Sequence, residues 1–131
     1  MRVDEIMTRD VISLSPTHTV SDAYEHFKKG EIHHLLVVDG GSVVGVLSIR
    51  DVSGKRDDMP VASVMNRDIR VADPSVTIRE AATMMMGRNS GCLPIMENGR
   101  LTGIVTTTDL MRVLSRGGAP RATASRQHGA V

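Results

Sequence analysis

The sequence predicts an α+β fold of two tandem β-α-β-β-α units that pack against each other as an internal pseudo-dimer. Three observations predict it. The chain repeats itself at a gapless shift of 58 positions, which carries Gly45–Asp51 (GVLSIRD) onto Gly103–Asp109 (GIVTTTD). The same shift sets Met7, Arg9 and Asp10 on Met65, Arg67 and Asp68, and Pro16, Thr19, Ala23, Leu35 and Gly41 on Pro74, Thr77, Ala81, Leu93 and Gly99. In each copy a helix-capping signal precedes two apolar runs joined by a hairpin dipeptide. A period of this length marks a supersecondary unit that shares a core with its neighbour. A half of this size buries too little surface to be secure alone.

The elements follow in order. Each copy opens on a short amphipathic turn, Val3–Met7 or Val61–Met65. An extended segment comes next, Val11–Leu14 or Ile69–Ala72, ending at Pro16 or Pro74. Thr19-Val20-Ser21-Asp22 and Thr77-Ile78-Arg79-Glu80 each place a hydroxyl three residues before an acid, which starts a helix. The helices are expected to run to about Lys29 and Gly87, with Gly30 and Gly87 as stops. Two strands follow in each copy, His34–Val38 with Val43–Leu47, and Leu93–Met96 with Leu101–Val105. Asp39-Gly40 and Asn98-Gly99 between them are hairpin signals. Pro94 suggests an edge or a strand start. A closing helix is expected over Thr108–Leu114, while its counterpart is cut short at Ser53-Gly54. The chain thus divides into residues 1–53, a polar linker 54–58, residues 59–115 and a mobile tail 116–131 rich in Gly, Ala, Ser and Arg.

Composition narrows the function. The net charge of +1 supplies no field for nucleic acid or an anionic membrane. Aromatics are limited to Tyr24 and Phe27, so stacking on single-stranded nucleic acid lacks its platform. The core is left to aliphatic residues and nine Met. A single cysteine, Cys92, excludes an intrachain disulfide and a multi-Cys zinc site. His18, His26, His33, His34 and Cys92 lack the spacing of metal ligands. No apolar run of about 18 residues predicts a membrane span. The charged N-terminus lacks a signal-peptide core, so a cytoplasmic protein is the default expectation. Nothing pairs a nucleophile with a base, and no enzyme activity is expected. Met84-Met85-Met86 is expected to fill a core or an interface.

The repeated Gly-x-x-hydroxyl-x-x-Asp motif carries the chemistry. In the second copy, Thr106, Thr108 and Asp109 stand where a strand ends and a helix begins. Free backbone N–H groups there suit a phosphate. A carboxylate suits the paired hydroxyls of a ribose. Gly103 permits close backbone approach. The first copy offers Gly45, Ser48, Arg50 and Asp51 in the same roles, with a guanidinium for phosphate. Two readings stay open at this level. The hydroxyls and acids either cap the next helix or cradle a ligand. Their repetition, with Ser in place of Thr, favours the cradle, although duplication carries a structural cap forward too.

Together with the Ile32–Asp39 strand (IHHLLVVD), the two ordered motif sets resemble the CBS domain, named after cystathionine β-synthase, and their pairing resembles a Bateman module. The resemblance covers about residues 1–115. It implies binding of an adenosine compound (AMP, ADP, ATP or S-adenosylmethionine) in a cleft shared by the repeats, with no covalent cofactor. Carried over, one site joins Thr106, Thr108 and Asp109 with Val11, Ile12, His33, His34 and Leu36. The other joins Ser48, Arg50 and Asp51 with Ile69, Arg70, Cys92 and Pro94. The first is the better equipped, because its histidines are replaced by Gly91 and Cys92 in the second copy. Histidine charge is partial near neutrality, so phosphate affinity is expected to rise as pH falls. The family also implies a homodimer, a disc of four repeats. The function expected is a stand-alone regulatory sensor acting through shape change or on a protein partner in trans. The alternative is a ligand-independent interaction module with empty sites.

Overall fold

The computed structural model describes residues 1–30, 32–88 and 91–117; the expected mobile tail falls almost wholly outside them. The chain divides into two compact units that cut across the sequence repeats. A middle unit holds residues 12–69, and a split unit joins residues 1–11 to the chain from residue 70 onward. Each unit therefore combines the body of one repeat with the leading segment of the other.

In the middle unit, β1 (Ser13–Leu14) lies parallel to β2 (His34–Asp39), which pairs antiparallel with β3 (Ser42–Ser48) in the order β1-β2-β3. Between β1 and β2 runs α1 (Val20–Lys29). Its capping box is closed: Asp22 N donates to Thr19 Oγ1 at 3.2 Å, and Thr19 N donates to Asp22 Oδ2 at 2.8 Å. Val20, Ala23 and Phe27 fall on one helix face and are buried with Leu14, Leu35, Val37, Leu47 and Val52. A single helical turn, α2 (Ile49–Val52), ends at Ser53 and left-handed Gly54. The lead of the second repeat then completes the unit. Val61 is fully buried in this core, and Val46 and Asn66 exchange backbone hydrogen bonds of 3.0 and 2.9 Å.

The split unit repeats this plan. Residues Ile78–Arg88 form α3, opened by reciprocal bonds between Thr77 and Glu80. Strands β4 (Cys92–Glu97) and β5 (Arg100–Thr106) pair antiparallel, and α4 (Thr107–Ser115) follows them. The lead of the first repeat lies against them. Thr8 and Ile104 exchange two 2.9 Å backbone bonds, and Val3, Ile6 and Met7 join Ala81, Leu93, Ile95 and Val105 in the core. In each lead an arginine ties off the 3-10 turn: Arg9 Nη2 donates to Asp4 O, and Arg67 Nη2 donates to Ala62 O.

Three local expectations are refined. The hairpin residues are Gly40-Gly41 and Asn98-Gly99, all with φ between 52° and 88°, while Asp39 ends β2. Both turn positions need left-handed backbone, which a primed hairpin turn requires. Gly87 does not stop α3, which continues to Arg88, and Gly30 follows α1 in extended rather than left-handed backbone. Pro94 sits third in β4. Its carbonyl accepts from Ala72 N on the side away from β5, so its missing N–H interrupts no β4–β5 bond.

The two motif glycines are packing positions. A Cβ on Gly103 would lie 2.6 Å from Met7 Sδ and 3.0 Å from Thr8 O, and one on Gly45 would lie 2.7 Å from Met65 Cγ. The space that the sequence reading kept for a ligand is filled by methionine. Gly103→Ala is therefore expected to destabilise the fold by roughly 1–3 kcal/mol through overpacking. In urea unfolding, Met7→Ala combined with Gly103→Ala should cost less than the two single changes added together, because the two side chains compete for one volume.

Candidate functional site

The strand–helix junctions carry the chemistry, and each is built by its own hairpin. In the middle unit the β2–β3 register sets His34 opposite Ser48. Ser48 N and Oγ both donate to Asp51 Oδ2, at 2.7 and 3.2 Å. In the split unit the β4–β5 register sets Cys92 opposite Thr106. Thr106 N and Oγ1 donate to Asp109 Oδ2 at 2.8 and 3.1 Å, and Asp109 N donates to Thr106 Oγ1 at 3.3 Å. Both acids thus use one oxygen to cap the helix that follows, as the simpler reading of the motif expects.

The junctions differ in access. Thr106 and Asp109 are each 1% exposed and Cys92 is 3% exposed. The Arg112 guanidinium lies 4.0 Å from Asp109 Oδ1. Thr108 is exposed, Val11 is half-buried, Arg70 is exposed and Pro94 is buried. In the middle unit His34, Ser48 and Asp51 are half-buried, while His33 and Arg50 are exposed. Of the remaining apolar candidates there, Ile12 is exposed, Ile69 is half-buried and Leu36 is fully buried. The sequence reading placed the histidines in one site and Ser48 with Asp51 in the other. The structure brings His34 together with Ser48 and Asp51 inside one unit. It also makes Asp51, rather than Asp109, the more accessible carboxylate.

The environment of His34 is specific. Its Nδ1 is buried and has no hydrogen-bond partner among the described residues. Burial, then the neighbouring His33, holds its pKa below the ordinary 6.5, while the Asp51 carboxylate pulls the other way. The sequence reading missed Met7 and Met65 as the residues that occupy the glycine positions. The signal was present, since the repeat shift pairs these two methionines just as it pairs Gly45 with Gly103.

The sequence profile of the CBS domain matches residues 3–56 and 61–116. The chain belongs to the CBS domain family. An uncharacterised protein of Methanocaldococcus jannaschii is 30% identical over 115 residues, which span 86% of this chain and 43% of that one. The cytosolic domain of the Mg2+ channel MgtE, solved in complex with ATP, is 29% identical with a TM-score of 0.70 over 82% of this chain and 46% of that one. The CBS domain pair of the protein MJ0100, solved with 5′-methylthioadenosine and S-adenosylmethionine, is 23% identical with a TM-score of 0.81 over 89% of this chain and 98% of that one. This CBS chain thus spans less than half of some longer relatives. Among its described residues, no helix is long and apolar enough to cross a membrane, and no group of three or more His, Cys, Asp or Glu is arranged to hold a metal ion.

The depressed pKa of His34 sets a pH dependence of stability. Well above pH 6.5 the side chain is neutral both folded and unfolded and contributes no slope. Between 6.5 and the lower folded value, the unfolded chain binds the proton and the folded chain does not, so stability falls as pH falls. Urea midpoints measured from pH 7.5 down to 5 should show this decline, and His34→Gln should remove its His34 component.

Proposed function

We propose that this CBS protein is a regulatory module that binds an adenosine compound and responds by a change of shape or by acting on a protein partner. The observation that carries the reading is the half-buried His34–Ser48–Asp51 cluster of the middle unit, with His33 and Arg50 exposed beside it. A carboxylate suits a ribose diol, and a guanidinium and imidazoles suit phosphate. The ATP complex of the MgtE cytosolic domain supports a phosphate-bearing ligand, and the MJ0100 complex keeps S-adenosylmethionine in view. Thr106, Thr108 and Asp109 form the second candidate turn, with Val11, Ile12, Leu36, Ile69, Arg70, Cys92 and Pro94 as the remaining candidate contacts. Because Asp109 is closed to solvent, Asp51 takes the leading role in this reading.

A second reading is a ligand-independent interaction module. It is favoured by one observation: both motif carboxylates already serve as helix caps, and one of them is 1% exposed.

Thermal and urea unfolding with AMP, ADP, ATP and S-adenosylmethionine separate the readings. A ligand at about 100 times its dissociation constant should stabilise the fold by about 2.7 kcal/mol. Asp51→Asn should reduce that increment more than Asp109→Asn does, each measured against its own ligand-free stability. If none of the four compounds stabilises the chain, the interaction module is the correct reading. For a phosphate ligand, affinity should strengthen as pH drops from 6.5 through the lowered folded pKa of His34, where its side chain gains the proton.

A further inference from the structure

The nine methionines of this chain differ in what an oxidant can reach and in what an added oxygen would disturb. Met1, Met86 and Met111 are exposed, so an oxygen there meets water. Met7 and Met85 are 7% and 5% exposed and are shielded from a dissolved oxidant. Met59, Met65, Met84 and Met96 are half-buried. Among the described residues, Met65 is the half-buried methionine that lies over a glycine. A Cβ on Gly45 would collide with its Sδ and lie 2.7 Å from its Cγ and 3.1 Å from its Cβ. The sulfur is therefore pressed against backbone, and the side chain packs on the aliphatic core of the middle unit. A sulfoxide in its place is bulkier and polar. Aliphatic neighbours offer its oxygen no hydrogen-bond donor.

Met65 sits where the lead of the second repeat is fastened. Its N donates to Val61 O at 2.9 Å, and the next residue, Asn66, exchanges backbone bonds with Val46, the residue after Gly45. The methionine–glycine contact and the backbone bridge are thus one fastening, made by adjacent residues on both sides. The first lead has the same fastening, with Met7 over Gly103 and Thr8 bridged to Ile104. There the methionine is closed to solvent. The duplicated chain therefore holds one fastening open to oxidation and one protected copy of it.

We infer that Met65 is a reversible oxidation site, and that its sulfoxide loosens the second repeat's lead from the middle unit while the first lead stays fastened. With hydrogen peroxide, a sulfur lone pair attacks one peroxide oxygen and the O–O bond breaks. The departing hydroxide takes the proton of the new S–OH group and leaves as water. Methionine sulfoxide reductases reverse the step with a dithiol, which is oxidised to a disulfide while the oxygen departs as water. In the test, the native chain is treated with dilute hydrogen peroxide, its sulfoxides are mapped by peptide mass, and amide exchange is followed by NMR. Met65 should oxidise well before Met7 and Met85. Exchange at Val46 and Asn66 should quicken roughly tenfold or more, equivalent to about 1.4 kcal/mol, while Thr8 and Ile104 stay as before. The two reductases, one for each sulfoxide epimer, with dithiothreitol should restore slow exchange. Met65→Leu keeps the volume and removes the sulfur, so peroxide should leave its exchange unchanged. That variant retains Cys92 and the other methionines, whose oxidation is then common to both chains. A partly oxidised wild-type sample makes the same comparison without a substitution, since chains with and without the Met65 sulfoxide are read side by side. Oxidation of Met7 as fast as Met65, a Met65 sulfoxide that leaves Val46 and Asn66 protected, or quickening that persists in Met65→Leu would each overturn the inference.

Discussion

The fold depends on an exchange of leading segments, fixed where a methionine lies over a glycine. Met7 occupies the space beside Gly103, and Met65 the space beside Gly45. Each lead also adds a backbone bridge, Thr8 with Ile104 and Asn66 with Val46. Neither repeat can complete its own core, since Val3, Ile6 and Met7 are buried among residues of the second repeat and Val61 among residues of the first. The duplication therefore works as a unit of two. A side chain on either glycine would have to displace sulfur or backbone, and a well-packed interior resists that strongly.

This constraint changes the meaning of the motif that looks most functional. Its glycine serves packing, and its hydroxyl and carboxylate close a helix cap. Only the remaining capacity of the turn is open to a ligand, and that capacity differs between copies. The half-buried His34, Ser48 and Asp51 keep contact with solvent, while Cys92, Thr106 and Asp109 are shut in. One backbone arrangement thus yields a polar, accessible junction in one unit and a sealed structural junction in the other. The side chain opposite the capping hydroxyl, histidine or cysteine, marks the difference.

Much of the fold was legible in the sequence because its determinants are local. The capping boxes at Thr19 and Thr77, the left-handed turn at Asn98-Gly99 and the truncation after Val52 all depend on neighbours within a few residues. The apolar runs on either side of each hairpin dipeptide located the strands for the same reason. The exchange of leads was not legible, because it depends on which of two similar bodies a lead meets, and the repeat makes both bodies look acceptable. The pairing of His34 with Ser48 was not legible for a related reason. Strand register within each hairpin decides that His34 faces Ser48, and nothing in the motif spacing states that register. The burial of Asp109 was invisible as well, since its sequence neighbours Thr107 and Thr108 are exposed.

A duplicated chain offers an internal control that a single domain lacks. Positions on which the two copies agree are occupied here by caps, core residues and the methionine–glycine contacts, and each has a structural reason to persist. Positions on which they disagree are free of that reason. His34 against Cys92, Arg50 against Thr108, Lys28 against Met86 and Arg56 against Leu114 share equivalent backbone places and differ in chemistry. Every one of these differences makes the middle unit more basic or the split unit more apolar. Other exposed pairs run the opposite way, Ser21 against Arg79, Ile12 against Arg70 and Ser42 against Arg100, so the divergence of the two surfaces has no single direction. Where the copies match, the residues explain the fold; where they diverge at the two junctions, His34 against Cys92, the half-buried and the buried junction differ in what they leave open to solvent.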